Sequence, residues 1–374
     1  MNPINQPFMV YFLIFILGWS LAYWLGEKFK LKEHGIEIKP FILTLKTKKV
    51  NRFLDAAAKK TEKILPVLSN IFVVLSIGCM VFGIYILSKN LYFFFYKVEA
   101  AAPIFPAIPV ITVRESLPYF LLSVVILIFI HEFAHGIIAR HEKIEVKSAG
   151  VLLLAIIPGG FVEPDEESFK KASLSKKLKV LAAGSSANLI FGILIVLLLT
   201  TLFQPTGILI QGVVEDSPAF KAGLQPGDVI KAVYGKPTPN LEIFRGIMKG
   251  VKVGDPVILD VEFKNGTTST LKIVTAPAPE NKSRAIIGIY PVNYIKITPL
   301  YLTFFWIQLW SISIAIINML PIYPLDGGSF INCLLEEYVK KHAKILKIII
   351  SAAFISLLGL NIGLTFLKFG FISI

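Results

Sequence analysis

The sequence predicts a polytopic α-helical membrane protein of about six spans, interrupted by a small soluble domain and by a short segment that re-enters the bilayer. Three observations carry this. The 374-residue chain is 55% hydrophobic and only 17% charged, with mean hydropathy +0.69, whereas a soluble chain carries about a quarter charged residues. Six stretches approach the ~20 apolar residues needed to cross the hydrocarbon layer. Basic residues collect in alternate loops between them.

The expected spans are Phe8–Leu25, Ile64–Leu87, Leu117–Ala139, Leu178–Phe203, Pro299–Leu320 and Ile345–Phe366. Met1–Phe8 lacks Lys and Arg, and no small-residue cleavage site follows, so the first stretch reads as a retained span rather than a signal peptide. Net charge is +13, but its placement argues against nucleic acid. Gly26–Lys63 holds eleven Lys/Arg against five acids. A second cluster (Arg140, Lys143, Lys147, Lys170, Lys171, Lys176, Lys177, Lys179) lies between spans three and four, and Lys340–Lys347 precedes span six. These loops share one side, which the positive-inside rule makes cytoplasmic. Both termini and Gln204–Lys296 then face outward. Cys79 and Cys333 fall on different segments, so no disulfide framework is expected.

Four regions follow: residues 1–116 with spans one and two and a basic loop, 117–203 with spans three and four, 204–292 as the soluble domain, and 293–374 with the last two spans. Between spans one and two, Gly35–Lys46 partly alternates apolar and polar residues, as a strand does. Val151–Gly160 is apolar but too short to cross, and Pro158, Gly159 and Gly160 end it sharply. It reads as a re-entrant β segment, which must be buried in protein or line a wet cavity, or alternatively as an interfacial loop.

In Gln204–Tyr290, Gly, Pro and Asp punctuate Val- and Ile-rich runs at Gly207–Val214, Asp228–Tyr234, Val257–Phe263 and Ser269–Thr275, with one helical stretch at Leu241–Lys249. The run Ser217–Ile230, with Ala219, Gly223, Gly227 and Asp228, closely resembles a bacterial-type PDZ domain. That resemblance implies an α/β domain that accepts an extended peptide as an added strand. It also places Thr206–Leu209 where such domains keep a carboxylate-binding loop.

His131, Glu132 and His135 fit H-E-x-x-H. On a helix the two imidazoles share a face and can bind one Zn²⁺, and Glu132 can act as general base. The ten residues before the motif are uncharged and nearly all aliphatic. Ionisable groups at bilayer depth cost ~2.5 kcal/mol or more each and are functional by default; the bland alternative is a structural polar cluster. A catalytic zinc usually takes three protein ligands. His34, His141 and His342 sit in or near polar segments, leaving Asp326 as the better candidate, although Pro324–Gly327 alone reads equally well as an ordinary turn.

HExxH in one span, with Asn318, Pro321, Leu325, Asp326 and Gly327 near a later one, resembles the site-2 protease family of intramembrane metalloproteases. The family's G-P-x-x-N reads here Gly184, Ser185 and Asn188, with Ser185 in place of proline, and Pro158–Phe161 resembles its membrane-dipping GG segment. The resemblance covers about 210 residues, Leu117 to Cys333. At 1.5 Å per residue, Glu132 lies ~12 Å in from Arg140 and Asn188 ~14 Å in from Lys179, at similar depth from the cytoplasmic face.

The resemblance implies one Zn²⁺ per chain held by His131, His135 and Asp326, with Glu132 as base and Asn188 stabilising the oxyanion or orienting substrate. The expected substrates are transmembrane proteins, including ones already cut outside that present a new C-terminus to the PDZ-like domain. Two rival readings are a catalytically inactive PDZ-bearing scaffold and an ion- or proton-coupled transporter, the latter disfavoured by the lack of repeated halves.

Overall fold

The computed structural model describes residues 5–47, 50–106, 113, 116–155 and 157–370. The chain divides into two compact units, Met1–Val196 with Leu302–Ile374, and Leu197–Tyr301.

The first unit begins with α1 (Asn5–Lys28), β1 (Ile36–Lys39), β2 (Ile42–Thr47), α2 (Val50–Lys60), α3 (Leu65–Tyr96) and α4 (Leu117–His141). It continues through β3 (Val146–Leu154), β4 (Ile157–Pro164), α5 (Glu166–Lys171) and α6 (Leu174–Leu202). The inserted unit holds β5 (Ile208–Val213), α7 (Pro218–Lys221), β6 (Val229–Val233), β7 (Lys236–Pro237), α8 (Leu241–Lys249), β8 (Pro256–Glu262), β9 (Thr268–Val274), β10 (Ala276–Pro277), β11 (Ala285–Ile286) and β12 (Ile289–Asn293). The chain then returns through α9 (Pro299–Asn318), α10 (Asp326–Tyr338) and α11 (Ala343–Phe369).

Among the described residues, α3, α4, α6, α9 and α11 with the turn before it are long and apolar enough to cross a membrane. The expected first span, Phe8–Leu25, is helical throughout as part of α1. Helices apolar on every side belong in lipid or in a core, and α3 exposes Val67, Val74 and Val81 while burying Phe72, Cys79 and Leu87. Where these helices meet, small residues let backbones close in. A methyl at Gly83 of α3 would lie 2.9 Å from Ile316 of α9, and one at Gly192 of α6 would lie 2.8 Å from Ile312. Ser76 of α3 donates to the Ala182 carbonyl of α6 at 3.0 Å, satisfying a hydroxyl that has no access to water.

The two apolar segments between helices form one four-stranded antiparallel sheet in the order β1-β2-β3-β4. Gly35–Lys46 makes two strands rather than one, because Pro40 cannot donate to a ladder and Phe41 takes φ 61, turning the chain into a hairpin. Val151–Gly160 belongs to the β3–β4 hairpin, paired Val151 to Gly160 and Leu152 to Gly159; Ile156 lies outside the described residues. β4 is an edge strand and lies against α4. Gly160 permits this approach, since a Cβ there would come within 2.2 Å of Ile128 and 3.0 Å of Glu132. Asp165 caps α5 through the Ser168 N–H, and this bond with the Lys147 ammonium holds its carboxyl below the usual range.

In the inserted unit the main sheet runs β12-β5-β6-β8-β9, with β7 on β6, over a core including Ile208, Ile230, Phe244, Leu259 and Ile273. The expected helix and four strands are present; the final strand β12 is an addition. Pro291 argues locally against a strand there, yet β12 lies at the sheet edge and bulges at Tyr290/Pro291, where proline is tolerated. This strand corrects the expectation for Thr206–Leu209. β5 is paired on both sides, by β12 and β6. The Thr206 and Gly207 N–H groups already donate to the Tyr294 and Pro239 carbonyls. No free edge remains there for an added strand. The sheet ends instead at β12 on this side and at β9 on the other.

Candidate metal centre

His131 and His135, one helical turn apart on α4, present their rings 4.7 Å apart between centroids. Asp326 reaches them from the first turn of α10. After α9 ends at Asn318, the chain reverses so tightly that a methyl on Gly327 would lie 2.1 Å from the Met319 carbonyl oxygen, and one on Gly328 2.4 Å from Tyr323 N. The two glycines therefore let α10 begin against the preceding loop, with Asp326 at its head.

The three side chains converge on one point. His131 Nε2 and His135 Nε2 lie 3.2 and 3.3 Å from Asp326 Oδ2, and 3.1 Å from each other. A tetrahedral site with bonds of about 2.0–2.1 Å requires donor atoms about 3.3 Å apart. All three separations match that edge. The donor set, two imidazoles and one carboxylate, is one that zinc takes in catalytic sites.

α6 supplies no member of this triplet but touches every one. The Val180 carbonyl lies 2.7 Å from His135 Nδ1 and accepts its proton, leaving Nε2 free to coordinate. The Asn188 amide lies 3.3 Å from His131 Nδ1, and the Ser185 hydroxyl donates to Asp326 Oδ2 at 3.3 Å. Both residues are fully buried. Gly184, just before Ser185, is required for the approach, because a Cβ there would sit 2.3 Å from His135 Nε2 and 2.6 Å from His131 Cε1. A further contact comes from Asn318, whose amide nitrogen is 3.4 Å from His131 Nε2.

Glu132 projects differently from its neighbours. Its Oε2 accepts the Val162 N–H of β4 at 2.8 Å. It nonetheless lines, with His131, His135, Asp326 and Ser329, a cavity of about 360 Å³ in front of the triplet. Lys179 at the start of α6 and Glu142 at the end of α4 pair at 3.0 Å, so Glu132 and Asn188 lie at comparable distances from that tie, ten and nine residues along antiparallel helices.

The structure thus brings together all five residues singled out from sequence: His131, Glu132, His135, Asn188 and Asp326. Sequence reasoning gave no site role to Val180, Ser185 or Asn318. Spacing offered one signal, since Val180, Gly184 and Asn188 recur at i, i+4 and i+8 on one face of a helix.

Several known proteins are similar to this chain. A protein of Methanocaldococcus jannaschii is 28% identical over 91% of this chain and 92% of its own length. A membrane-bound transcription factor site-2 protease homolog of Arabidopsis thaliana is 32% identical over 34% of this chain and 27% of its own. A protein of Clostridium perfringens named as a zinc metalloprotease is 24% identical over 66% of this chain and 96% of its own. Among solved structures, the PDZ domain of an SdrC-like protein from Listeria monocytogenes is 25% identical, with 23% of this chain and 88% of that one covered and a TM-score of 0.21. The Peptidase family M50 model matches residues 119–360, which hold the whole triplet. The chain therefore belongs to peptidase family M50, the site-2 protease family, and is a zinc metalloprotease of the membrane.

Proposed function

We propose that this chain cleaves peptide bonds within or beside the transmembrane segments of other membrane proteins, using one zinc held by His131, His135 and Asp326. The observation that supports the assignment is the set of three donor separations, 3.1, 3.2 and 3.3 Å, each close to what a tetrahedral zinc held by these residues would need. When bound, zinc supplies Lewis acidity that polarises a peptide carbonyl and makes water a stronger acid. Glu132 takes the proton of the attacking water and returns it to the leaving amine. Asn188, fully buried, orients His131: an imidazole that coordinates through Nε2 keeps its proton on Nδ1. Asn188 Oδ1, otherwise without a partner, would accept that proton after a half-turn of the amide. Oxyanion stabilisation then falls more naturally to Asn318, whose amide nitrogen already faces the coordinating side of His131.

The decisive measurement is zinc content beside cleavage of a transmembrane substrate in liposomes. Wild type should hold one zinc per chain and cleave, while Asp326→Ala should lose both. Sustained cleavage by a zinc-free Asp326→Ala enzyme would overturn the proposal. Ser185→Ala tests the support beneath that ligand. Removing an outer-shell partner costs about 10–100-fold in metal affinity, so chelator competition should show a loss of that order with Asp326 still in place.

In the membrane, α1 joins the five long helices as a sixth span, and the basic loops lie on the cytoplasmic side, nearer the metal centre. The inserted PDZ-like unit and both termini lie outside. The β1–β4 sheet dips into the bilayer as a re-entrant element. It offers the edge of β4 to a substrate that must leave its helix to expose a scissile carbonyl. For the PDZ-like unit the proposed peptide site is the outer edge of β12, an edge strand of the sheet. There an incoming C-terminus produced by an earlier external cut would add as the next strand.

A further inference from the structure

A second cavity, of about 220 Å³, lies on the far side of Glu132 from the metal centre. Its walls include Phe129 and Phe133 of α4, Leu45 of β2, Gly150 and Val151 of β3, and Phe161 of β4. Aromatic and branched side chains dominate it. Lys46, which borders it, is drawn toward Glu163, 3.6 Å away.

The two cavities share a partition. Glu132 and Val162 line both, and the 2.8 Å bond from Val162 N to Glu132 Oε2 closes the wall between them. That N–H lies on the edge of β4 that β3 does not use, the place where an added strand would find its donor. A substrate pairing there would accept from Val162 in place of Glu132. This would free the carboxylate toward the attacking water and set a neighbouring substrate side chain against the opening.

We propose that this cavity is a specificity pocket that takes a large apolar side chain, leucine or phenylalanine, of the substrate residue flanking the scissile bond. The inference rests on the proteolytic reading above and deepens it. Two of its features fit that occupant better than a polar one. Both charged residues of the lining already have partners: Glu132 accepts the Val162 N–H, and Lys46 pairs with Glu163 and lies over the Phe161 ring; burying a further unpaired polar group there would be costly. Close-packed glycine shapes the wall: a Cβ at Gly150 would meet the Leu45 carbonyl at 2.1 Å and the Phe161 ring at 2.7 Å, so the cavity keeps this form only with glycine at that position.

The test uses one model transmembrane substrate whose cleavage site is mapped by mass spectrometry, with Ala, Leu or Phe on each side of the scissile bond. At one of the two positions, wild type should prefer Leu or Phe over Ala by about 10–100-fold in kcat/KM, as apolar pockets discriminate by size. Val151→Phe, or Leu45→Phe should the first variant not fold, narrows the pocket. The Phe-to-Ala ratio, rather than absolute activity, should fall at least about tenfold. Cleavage by wild type that ignores side-chain size would overturn the pocket and leave the cavity to a lipid chain. So would a Phe-to-Ala ratio unchanged in a folded, zinc-loaded variant. Absence of any cleavage by wild type would instead count against the proteolytic reading itself.

Discussion

Glu132→Gln should retain zinc at the wild-type stoichiometry while cleavage falls by about 10²–10⁴-fold or more, the range associated with loss of a positioned general base. The substitution is nearly isosteric, and the amide oxygen of glutamine can still accept the Val162 N–H that Glu132 accepts at 2.8 Å. The edge of β4 and the partition between the two cavities should therefore stay as they are. What disappears is the group that takes a proton from water and delivers it to the leaving nitrogen. His131, His135 and Asp326 keep all three of their mutual contacts and their partners on α6. Elemental analysis and cleavage in liposomes on the same preparations separate the two effects. Zinc-loaded Glu132→Gln that cleaves at the wild-type rate would show that Glu132 is not the base. The transporter alternative makes a different forecast, a change in ion flux with no proteolysis in either form.

Much of this architecture is written in local sequence, for definite physical reasons. The long helices are legible because lipid demands runs of apolar residues whatever their neighbours are. The two histidines and Glu132 are legible because a helix fixes the relation of i and i+4. Asp326 is legible only through its motif: a turn containing Pro324 and Gly327 is common, and what makes this one a donor site is the reversal that Gly327 and Gly328 permit against Met319–Tyr323. The remainder depends on contacts far apart in the chain. Ser185 stands out in sequence as a departure from proline, but its role needs α10 to lie beside α6, 141 residues away. The Val180 contact is made by a backbone carbonyl, so no side-chain pattern announces it. The misplaced carboxylate loop has the same origin. Thr206–Leu209 has the right local texture, and only strand order reveals that β12 already pairs with β5.

Gly184→Ala should remove the metal centre while leaving every ligand and the base unmutated. The added methyl carbon would lie 2.3 Å from His135 Nε2, 2.6 Å from His131 Cε1 and 2.7 Å from His131 Nδ1. Such contacts are relieved when a flexible side-chain end can swing away, but neither ring has that freedom. His135 is held by the Val180 carbonyl at 2.7 Å and His131 by Asn188 at 3.3 Å, both on the same helix as the new methyl. Relief must come from displacing α6 or from turning both imidazoles, and either spoils a set of donor separations that agree to 0.2 Å, from 3.1 to 3.3 Å. Because both rings move at once, zinc affinity should fall by at least about 100-fold, the upper end for disturbing a ligand's support. Cleavage should be lost with it. Gly359→Ala in α11 is the matched control. Nothing lies within 4 Å of the methyl it introduces, and alanine favours the helix, so zinc content and cleavage should hold at wild-type levels. Zinc titration by chelator competition on the two variants decides the matter: if Gly184→Ala binds zinc as tightly as Gly359→Ala, the close approach of α6 is not what shapes the centre.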